Sequence, residues 1–385
     1  MSLSKRERVL KTLELDGEPD KVPIHYFGFE QTGTSFQAFS RSIEKQEFTS
    51  FVNNRHNNKK YYITEQRFWN LDIFEMDPFG VNKLKIKNIE APPDFPNSYI
   101  SVIDGRIFKT VKQVETGMPY EWYVGGYFTS KERVNELWDR YGKPSERIND
   151  RINYSPQIWE GFVEAVSPYF YPMVYTPLNP TECLFEGVTM ARVAYFMRKD
   201  PQFIHMLMDE YTKVDIEIIK RLNEAGVDIV FMGDDLGYKE NPIFSLKQYN
   251  EFILPYHKKL FQKCKKFGML SVLHSCGKID QYVPDLIKAG LNCLQALEVT
   301  AGVDLKNLKK HYGDKICFMG GLDSSGILTF GTPEQVFEHV KNTLKIGGKG
   351  GGYFVGPSHD ILNIPWENIL AMRSAIEKYR DYPFN

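Results

Sequence analysis

His274 and Cys276 are the residues whose types and spacing in this 385-residue chain most clearly allow chemistry. They end a predicted strand, Leu270–His274, and on extended backbone residues two apart project to the same side. Imidazole nitrogen and thiolate sulfur are preferred zinc ligands, and a catalytic zinc takes three protein ligands and leaves one position open. On spacing alone, a metal site and a buried thiol beside a hydrogen-bonded histidine are equally good interpretations.

A third ligand has to come from elsewhere in the chain. His359 is the leading candidate, because it follows the last predicted strand and is paired with Asp360, which could orient an imidazole or cap a turn. Glu298, Glu182 and Cys183 are weaker candidates. The sequence therefore predicts a metal site of His274, Cys276 and His359, with the third member open.

Asp234 and Asp235 form the second strong feature, between Gly233 and Gly237. Two carboxylates at a turn of this kind are suited to substrate hydrogen bonding, acid–base work or support of a metal. Capping of a turn or helix is the structural alternative. Because adjacent side chains diverge, at most one of the two is expected to face the site. We predict catalytic roles for Asp234, Asp235 and His359.

The elements that must position these residues alternate between short apolar runs and helical stretches. Runs that are apolar throughout fit parallel strands covered on both faces. Eight such runs favour a single (β/α)₈ barrel spanning residues 1–385 over an open sheet, and no G-x-G-x-x-G follows any of them. The predicted strands are Val22–Phe27, Asp72–Met76, Pro172–Thr176, Val227–Met232, Leu270–His274, Asn292–Leu297, Ile316–Met319 and Gly352–Val355.

Active sites of such barrels lie at the carboxyl ends of the strands. Polar residues at several other predicted strand ends are therefore expected to bind substrate. These residues are His25, Tyr26, Asp77, Asn179, Glu182, Glu298 and Asp323.

An insertion interrupts this alternation after the second predicted strand, at about residues 81–170. Its first part alternates like antiparallel strands, with Asp104-Gly105 as a hairpin signal, and helices follow up to Tyr171. An insertion at this end of a barrel commonly covers the active-site mouth. A contact between two copies of the chain in a homodimer is an equally good interpretation.

Composition excludes several classes of partner. The 48 Lys and Arg balance the 49 Asp and Glu, so no overall field favours nucleic acid or an anionic membrane.

The chain has no apolar run long enough to span a bilayer, and its first ten residues are unlike a signal peptide. Five cysteines without a paired framework indicate a reducing compartment. We expect Cys293 and Cys317 to be packing residues, Cys264 to lie near a solvated helix face, and the protein to be cytoplasmic.

The strand-end motifs, taken in order, resemble those of the uroporphyrinogen decarboxylase superfamily. They are Gly233–Gly237, His274–Gly277, Met319–Asp323, Gly356–His359 and Pro365–Asn368. The resemblance covers most of the chain, is strongest from Pro177 onward, and implies a (β/α)₈ barrel.

Two branches of the superfamily imply different activities. The decarboxylases hold porphyrinogen carboxylates with arginines in the first loop, whereas the matching residues 26–33 contain none, although paired cations suit such a substrate. The zinc- and corrinoid-dependent methyltransferases carry His-x-Cys on the fifth strand, which matches His274 and Cys276. His359 does not discriminate, because the methyltransferases usually have a cysteine near this place and the decarboxylases also have a histidine.

The resemblance thus implies a zinc-dependent methyltransferase that moves a methyl group between a corrinoid and a small thiol, ether or amine. The chain lacks a D-x-H-x-x-G cobalamin-binding motif, so the methylcobalamin-type corrinoid is expected on a partner protein. A metal-independent decarboxylase of a porphyrinogen or smaller acid is the first alternative. A corrinoid or tetrapyrrole binder without catalytic activity is the second, since fold alone does not fix function.

Overall fold

The protein is described by a computed structural model of the whole chain. The residues described below are 2–25, 28, 34–42, 67–76, 89–112, 119–148 and 156–384. The predicted substrate-binding residues Tyr26 and Asp77 lie outside them.

A parallel seven-stranded sheet carries the candidate residues. Its order is β1-β6-β7-β8-β9-β10-β11, so strands that follow one another in this series are also neighbours in space. Buried Val, Ile, Leu and Phe fill these strands, as expected where both sheet faces are covered. The strands are β1 (Ile73–Met76), β6 (Tyr171–Tyr175), β7 (Ile229–Met232), β8 (Leu270–His274), β9 (Cys293–Ala296), β10 (Cys317–Leu322) and β11 (Tyr353–Pro357).

The two edge strands of this sheet are both bonded to the segment around Ile24. Ile24 forms a parallel bridge with Val355 of β11, and the amide of Asp72, directly before β1, donates to the Ile24 carbonyl at 3.2 Å. The sheet therefore curls until its first and last strands share one short extended segment. This agrees with the predicted α/β fold and its curved parallel sheet.

A separate antiparallel sheet lies between β1 and β6 in chain order. It contains β2 (Ile89–Glu90), β3 (Tyr99–Ile100), β4 (Arg106–Lys112) and β5 (Pro119–Gly126), paired in that sequence. Asp104 and Gly105 turn the chain between β3 and β4. Gly105 has a φ of +75°, a backbone conformation that glycine adopts without strain. The alternating pattern and the Asp-Gly signal thus predicted an antiparallel sheet correctly.

Helices cover the parallel sheet, and several begin at the capping residues that the sequence provides. Capping boxes are formed by Ser4 with Glu7, Ser245 with Gln248 and Thr332 with Gln335. The helices are α1 (Lys5–Leu13), α2 (Thr34–Ser42), α3 (Lys131–Tyr141), α4 (Pro156–Val166), α5 (Pro180–Val188), α6 (Met190–Lys199), α7 (Pro201–Glu224), α8 (Leu246–Phe252), α9 (Leu254–Lys266), α10 (Val283–Ala289), α11 (Leu305–Tyr312), α12 (Ile327–Phe330), α13 (Pro333–Gly348) and α14 (Trp366–Tyr379).

The interior of the curled sheet is packed with side chains from alternate strand positions. Ile73, Met173, Phe231, Val272 and Cys293 belong to this cluster, and all are fully buried. Packing roles for Cys293 and Cys317 are therefore confirmed. The expectation for Cys264 was wrong, because the face of α9 that carries it is buried although the helix is rich in lysine.

One buried carboxylate, that of Asp72, forms ion pairs with residues near both ends of the chain. Asp72 is fully buried, forms ion pairs with Arg8 and Arg380, and accepts a hydrogen bond from the amide of Ile24 at 2.9 Å. No helix in the described part of the chain combines the length and apolar character needed to cross a bilayer.

Candidate metal centre

His274 and Cys276 meet at the carboxyl end of β8. His274 is the last residue of the strand, and Cys276 follows in the loop. The Cys276 Sγ lies 3.3 Å from His274 Nε2. The two side chains therefore point to the same side, as their spacing predicted.

Asp235 completes a group of three donors. Its carboxylate Oδ1 accepts a hydrogen bond from the amide of Cys276 at 2.7 Å and lies 3.4 Å from His274 Nε2. One ligand atom from each of Asp235, His274 and Cys276 lies within 4.8 Å of the other two. Asp235 follows β7, so neighbouring parallel strands bring the donors together at one edge of the sheet.

The spacing of these donors suits zinc. A tetrahedral zinc with ligands at about 2.0–2.3 Å places neighbouring ligand atoms about 3.3–3.8 Å apart. The 3.3 Å separation of His274 Nε2 from Cys276 Sγ and the 3.4 Å separation of Nε2 from Asp235 Oδ1 are close to that range. Nitrogen, sulfur and carboxylate oxygen are the donor types that zinc takes in proteins. The donor types and these two separations therefore fit a zinc ion.

Gln295 orients the imidazole of His274. It lies on β9 directly beside His274 in the sheet register and is fully buried. Its Oε1 forms a short hydrogen bond with His274 Nδ1. Since an amide oxygen only accepts, Nδ1 carries a proton, and Nε2, which faces Asp235 and Cys276, is the ring nitrogen that can bind a metal once its own proton is lost. This is how a supporting residue usually fixes a metal-binding histidine.

The loop that carries Cys276 is held by close backbone contact with the loop after β7. A Cβ on Gly277 would lie 2.2 Å from the carbonyl carbon of Gly237, and Gly277 has a φ of +79°. The Ser275 Oγ accepts from the amide of Leu236 at 3.0 Å, and Glu298 accepts from the amide of Gly277 at 2.9 Å. These contacts set the spacing of the donors through the main chain.

Without a bound metal, the three donors shift one another's pKa values. Burial raises the pKa of the Asp235 carboxyl, but its hydrogen bonds with His274 and Cys276 outweigh burial and hold that pKa at about 2. Burial lowers the pKa of His274, yet Asp235 and Cys276 raise it well above its ordinary value. Burial also raises the pKa of the Cys276 thiol, although His274 opposes the change. The metal-free site thus pairs an imidazolium with a carboxylate.

His359 lies at the open side of this group. Its Nε2 is 3.1 Å from Cys276 Sγ, and its ring centroid is 6.3 Å from that of His274. Ser324 holds the backbone of His359 by accepting from its amide at 3.1 Å. His359 thus lies beside Cys276, and its role as a zinc ligand stays a prediction, but Asp235 completes the group in which every donor is close to every other.

Asp234 has a different environment from its neighbour. It is fully buried and accepts hydrogen bonds from the amides of Thr181 and Glu182, which begin α5, at 2.8 and 3.1 Å. Asp235 instead faces His274 and Cys276. The prediction that the two side chains diverge is correct, and the geometry favours Asp235 for direct contact with a bound group.

Glu182 and Asn179 lie behind Asp235. The Glu182 carboxylate accepts from the amide of Asp235 at 3.3 Å and from Asn179 Nδ2 at 2.8 Å. Burial, and then the nearby Asp234, raise the pKa of Glu182 to about 7. A carboxyl with that pKa exchanges protons near neutral pH.

Residues 177–379, slightly more than half of the chain, match the family model described as uroporphyrinogen decarboxylase (URO-D). The chain belongs to the uroporphyrinogen decarboxylase family. The match begins just after β6 and includes the loops that carry Asp235, His274, Cys276 and His359. Family membership confirms the resemblance found in the sequence.

Similar members of this family carry two kinds of name. Methylated-thiol–coenzyme M methyltransferase of Methanosarcina mazei is 26% identical over 200 residues, which are 52% of this chain and 50% of that protein. Methylcobamide:CoM methyltransferase MtbA of Methanosarcina acetivorans is 29% identical over 146 residues, 38% of this chain and 41% of that protein. Uroporphyrinogen decarboxylase of Chlorobium phaeovibrioides is 26% identical over 170 residues, 43% of this chain and 46% of that protein. The chain thus spans about half the length of these relatives.

A solved structure shares the fold over nearly the whole chain. A methyltransferase from Methanosarcina mazei superposes with a TM-score of 0.65 at 16% sequence identity, covering 98% of this chain and 99% of that one. This similarity supports the α/β architecture described above for this chain.

The remaining predicted site residues lie in different surroundings. His25 is buried in the sheet interior, with its ring centroid 6.3 Å from that of Phe231. Glu298 joins the Cys276 loop through the Gly277 amide. Asp323 accepts from the amides of Gly326 and Ile327 at the start of α12, so its carboxylate caps a helix. Substrate contact remains a prediction for these three residues.

Two supporting residues were not found by sequence reasoning. Gln295 gave one signal, because it is a polar residue within the apolar run of β9 and a buried amide needs a hydrogen-bond partner. His257 on α9 gave none beyond its residue type. Its Nε2 lies 2.8 Å from Asp234 Oδ2.

Proposed function

We propose that this protein is a zinc-dependent methyltransferase that moves a methyl group between a corrinoid and a small thiol, ether or amine. The observation that carries the proposal is the convergence of Asp235, His274 and Cys276 donors within 4.8 Å at one edge of the parallel sheet. Relatives named as methylcobamide:CoM and methylated-thiol–coenzyme M methyltransferases support it.

Three protein donors leave one tetrahedral position for substrate. Bound zinc would supply a Lewis acid that lowers the pKa of a thiol or polarises an ether or amine. The chain's own part is to present His274 Nε2 to the metal, and Gln295 supports this by accepting a hydrogen bond from Nδ1–H, which leaves Nε2 as the ligand nitrogen. The Cys276 amide holds the Asp235 carboxylate in place.

We also propose the finer architecture that this activity needs. The Ile24 segment is the first strand of a closed (β/α)₈ barrel forming one domain over residues 1–385, with an insertion at about 81–170. Hydrogen bonds from this segment to both edges of the sheet support closure. The corrinoid is carried by a partner protein that approaches the carboxyl ends of the strands.

Metal analysis tests the proposal most directly. Protein purified without chelators should hold about one equivalent of zinc. The double variant His274→Ala/Cys276→Ala should hold none while keeping the wild-type circular dichroism spectrum. The zinc-loaded protein should then demethylate free methylcobalamin in the presence of a small thiol, a reaction followed by visible absorbance.

The opposite result identifies the alternatives. Well-folded wild-type protein that neither contains nor binds zinc would exclude zinc-dependent methyl transfer. Relatives named uroporphyrinogen decarboxylase make metal-free decarboxylation the next activity to assay. Tetrapyrrole binding without turnover of any methyl donor or carboxylate substrate would indicate a binding protein.

A further inference from the structure

A histidine on an outer helix is bonded to the loop that carries Asp235. His257 lies on α9 and is 1% exposed, and its Nε2 is 2.8 Å from Oδ2 of the fully buried Asp234. The other ring nitrogen, Nδ1, has no hydrogen-bond partner among the residues described. The polar contact of this ring is therefore directed at Asp234.

The Asp234 carboxylate accepts hydrogen bonds from four donors. Besides His257, it accepts from the Thr181 amide at 2.8 Å, the Glu182 amide at 3.1 Å and, in a short hydrogen bond, the Thr181 hydroxyl. A carboxylate offers about four lone-pair sites, so all are in use. Asp234 thereby joins the loop after β7 to the first turn of α5, where the helix dipole favours a negative charge, and to α9.

This junction is one residue from the metal centre. The amide of Asp234 donates to the carbonyl oxygen of His274 at 3.1 Å. The next side chain, Asp235, accepts from the Cys276 amide at 2.7 Å and lies 3.4 Å from His274 Nε2. A shift of Asp234 would therefore change the distance between Asp235 and the other two donors.

We propose that His257 is a positioning residue for the metal centre. By donating a hydrogen bond from Nε2 to Asp234, it fixes the loop after β7. The fixed loop keeps Asp235 at ligand distance from His274 and Cys276. The inference rests on the proposed function, because it assumes that these three donors hold a metal. It goes beyond that function by assigning control of metal geometry to a helix that contributes no ligand.

The test compares three variants of the full-length protein, each prepared metal-free. His257→Leu removes the donor, and His257→Gln retains a side-chain N–H near the position of Nε2. Leu260→Ala, at a 1% exposed position on the same helix, destabilises the core without touching Asp234. Cobalt(II) is titrated into each protein, and its dissociation constant and visible ligand-field spectrum are measured beside the melting temperature.

We expect His257→Leu to weaken cobalt binding about 10- to 100-fold, the range for loss of a supporting residue, and to alter the ligand-field bands. His257→Gln should restore both. Leu260→Ala should lower the melting temperature while leaving cobalt affinity and spectrum as in the wild type. A folded His257→Leu protein with wild-type affinity and spectrum would overturn the inference. If His257→Leu does not fold, equal spectra and affinities for wild type and His257→Asn, whose shorter amide does not reach Asp234, would overturn it instead.

Failure of the proposed function gives a different result. Wild-type protein that binds neither cobalt nor zinc would reject the metal centre itself. Wild-type binding with no response to His257 substitution would reject only the positioning role.

Discussion

Substitution of Asp235 tests which residue is the third zinc ligand. Asp235→Ala removes the carboxylate that stands 3.4 Å from His274 Nε2, whereas His359→Ala removes a ring that contacts Cys276 at 3.1 Å. We expect the first change to weaken zinc binding strongly and the second to weaken it only slightly. The reason is that Asp235, and not His359, belongs to the group whose donors all lie within 4.8 Å of one another.

The expected size follows from the number of ligands. Structural zinc sites with four ligands bind with about 10–16 kcal/mol, or about 2.5–4 kcal/mol per ligand. Losing one ligand should therefore raise the zinc dissociation constant about 100- to 1000-fold. For His359→Ala we expect a change below about 10-fold, the lower limit for a supporting residue.

Competition titration of metal-free protein with a chromophoric zinc chelator measures these constants. Asp235→Asn is the matched control, because its amide oxygen still accepts from the Cys276 amide but lacks the negative charge. It should preserve the loop and still weaken zinc binding at least about 10-fold. If Asp235→Asn binds zinc like the wild type while His359→Ala loses about 100-fold, Asp235 is not a ligand and His359 is.

Three further predictions follow from the geometry. The pKa values of His274 and Cys276 are both raised, so the metal-free site holds two protons that zinc must displace. Zinc affinity should therefore rise with pH through the neutral range. A pH-indicator dye in weakly buffered solution should detect the protons released on zinc binding. Gln295→Leu removes the acceptor for His274 Nδ1 and should weaken zinc binding about 10- to 100-fold, whereas Gln295→Glu, which retains an acceptor, should bind more tightly than the Leu variant in the same titration. Asp72→Ala leaves the buried Arg380 without its carboxylate partner and leaves Arg8 paired with Asp20 alone, so it should destabilise the protein by about 3–5 kcal/mol in urea unfolding; a loss below about 1 kcal/mol would show that the ion pairs with Asp72 add little.

The sheet was predictable because its strands are buried on both faces. Apolar runs marked β8 and β9 within one residue at each end. The end of β10 was missed, since Gly320-Gly321 reads as the start of a turn, whereas both glycines continue the strand with φ values of +105° and +86°. Gly347 lies within α13, where a Cβ would meet the Tyr353 ring at 2.7 Å. Such close packing is set by tertiary contacts.

The candidate site was predictable only in part for a related reason. Spacing along one strand identified His274 and Cys276, because residues two apart share a side. It could not choose between Asp234 and Asp235, since that choice depends on which carboxylate meets the helix donors of α5 and α9. Gln295 lies beside His274 only through the register of β8 and β9. Local sequence carries no record of that register beyond the polar residue itself.

The two adjacent aspartates differ in their hydrogen-bond partners and in the roles that we propose for them. Asp234 has its acceptor capacity filled by donors from α5 and α9, so we propose that it anchors the loop, and its catalytic role stays a prediction. Asp235 receives one amide and otherwise faces His274 and Cys276. Asp234 is buried while its neighbour is half-exposed, and one peptide unit separates them. A carboxylate held in this way can reach a metal without reorganising the loop, which is the condition for a site built before its ligand arrives.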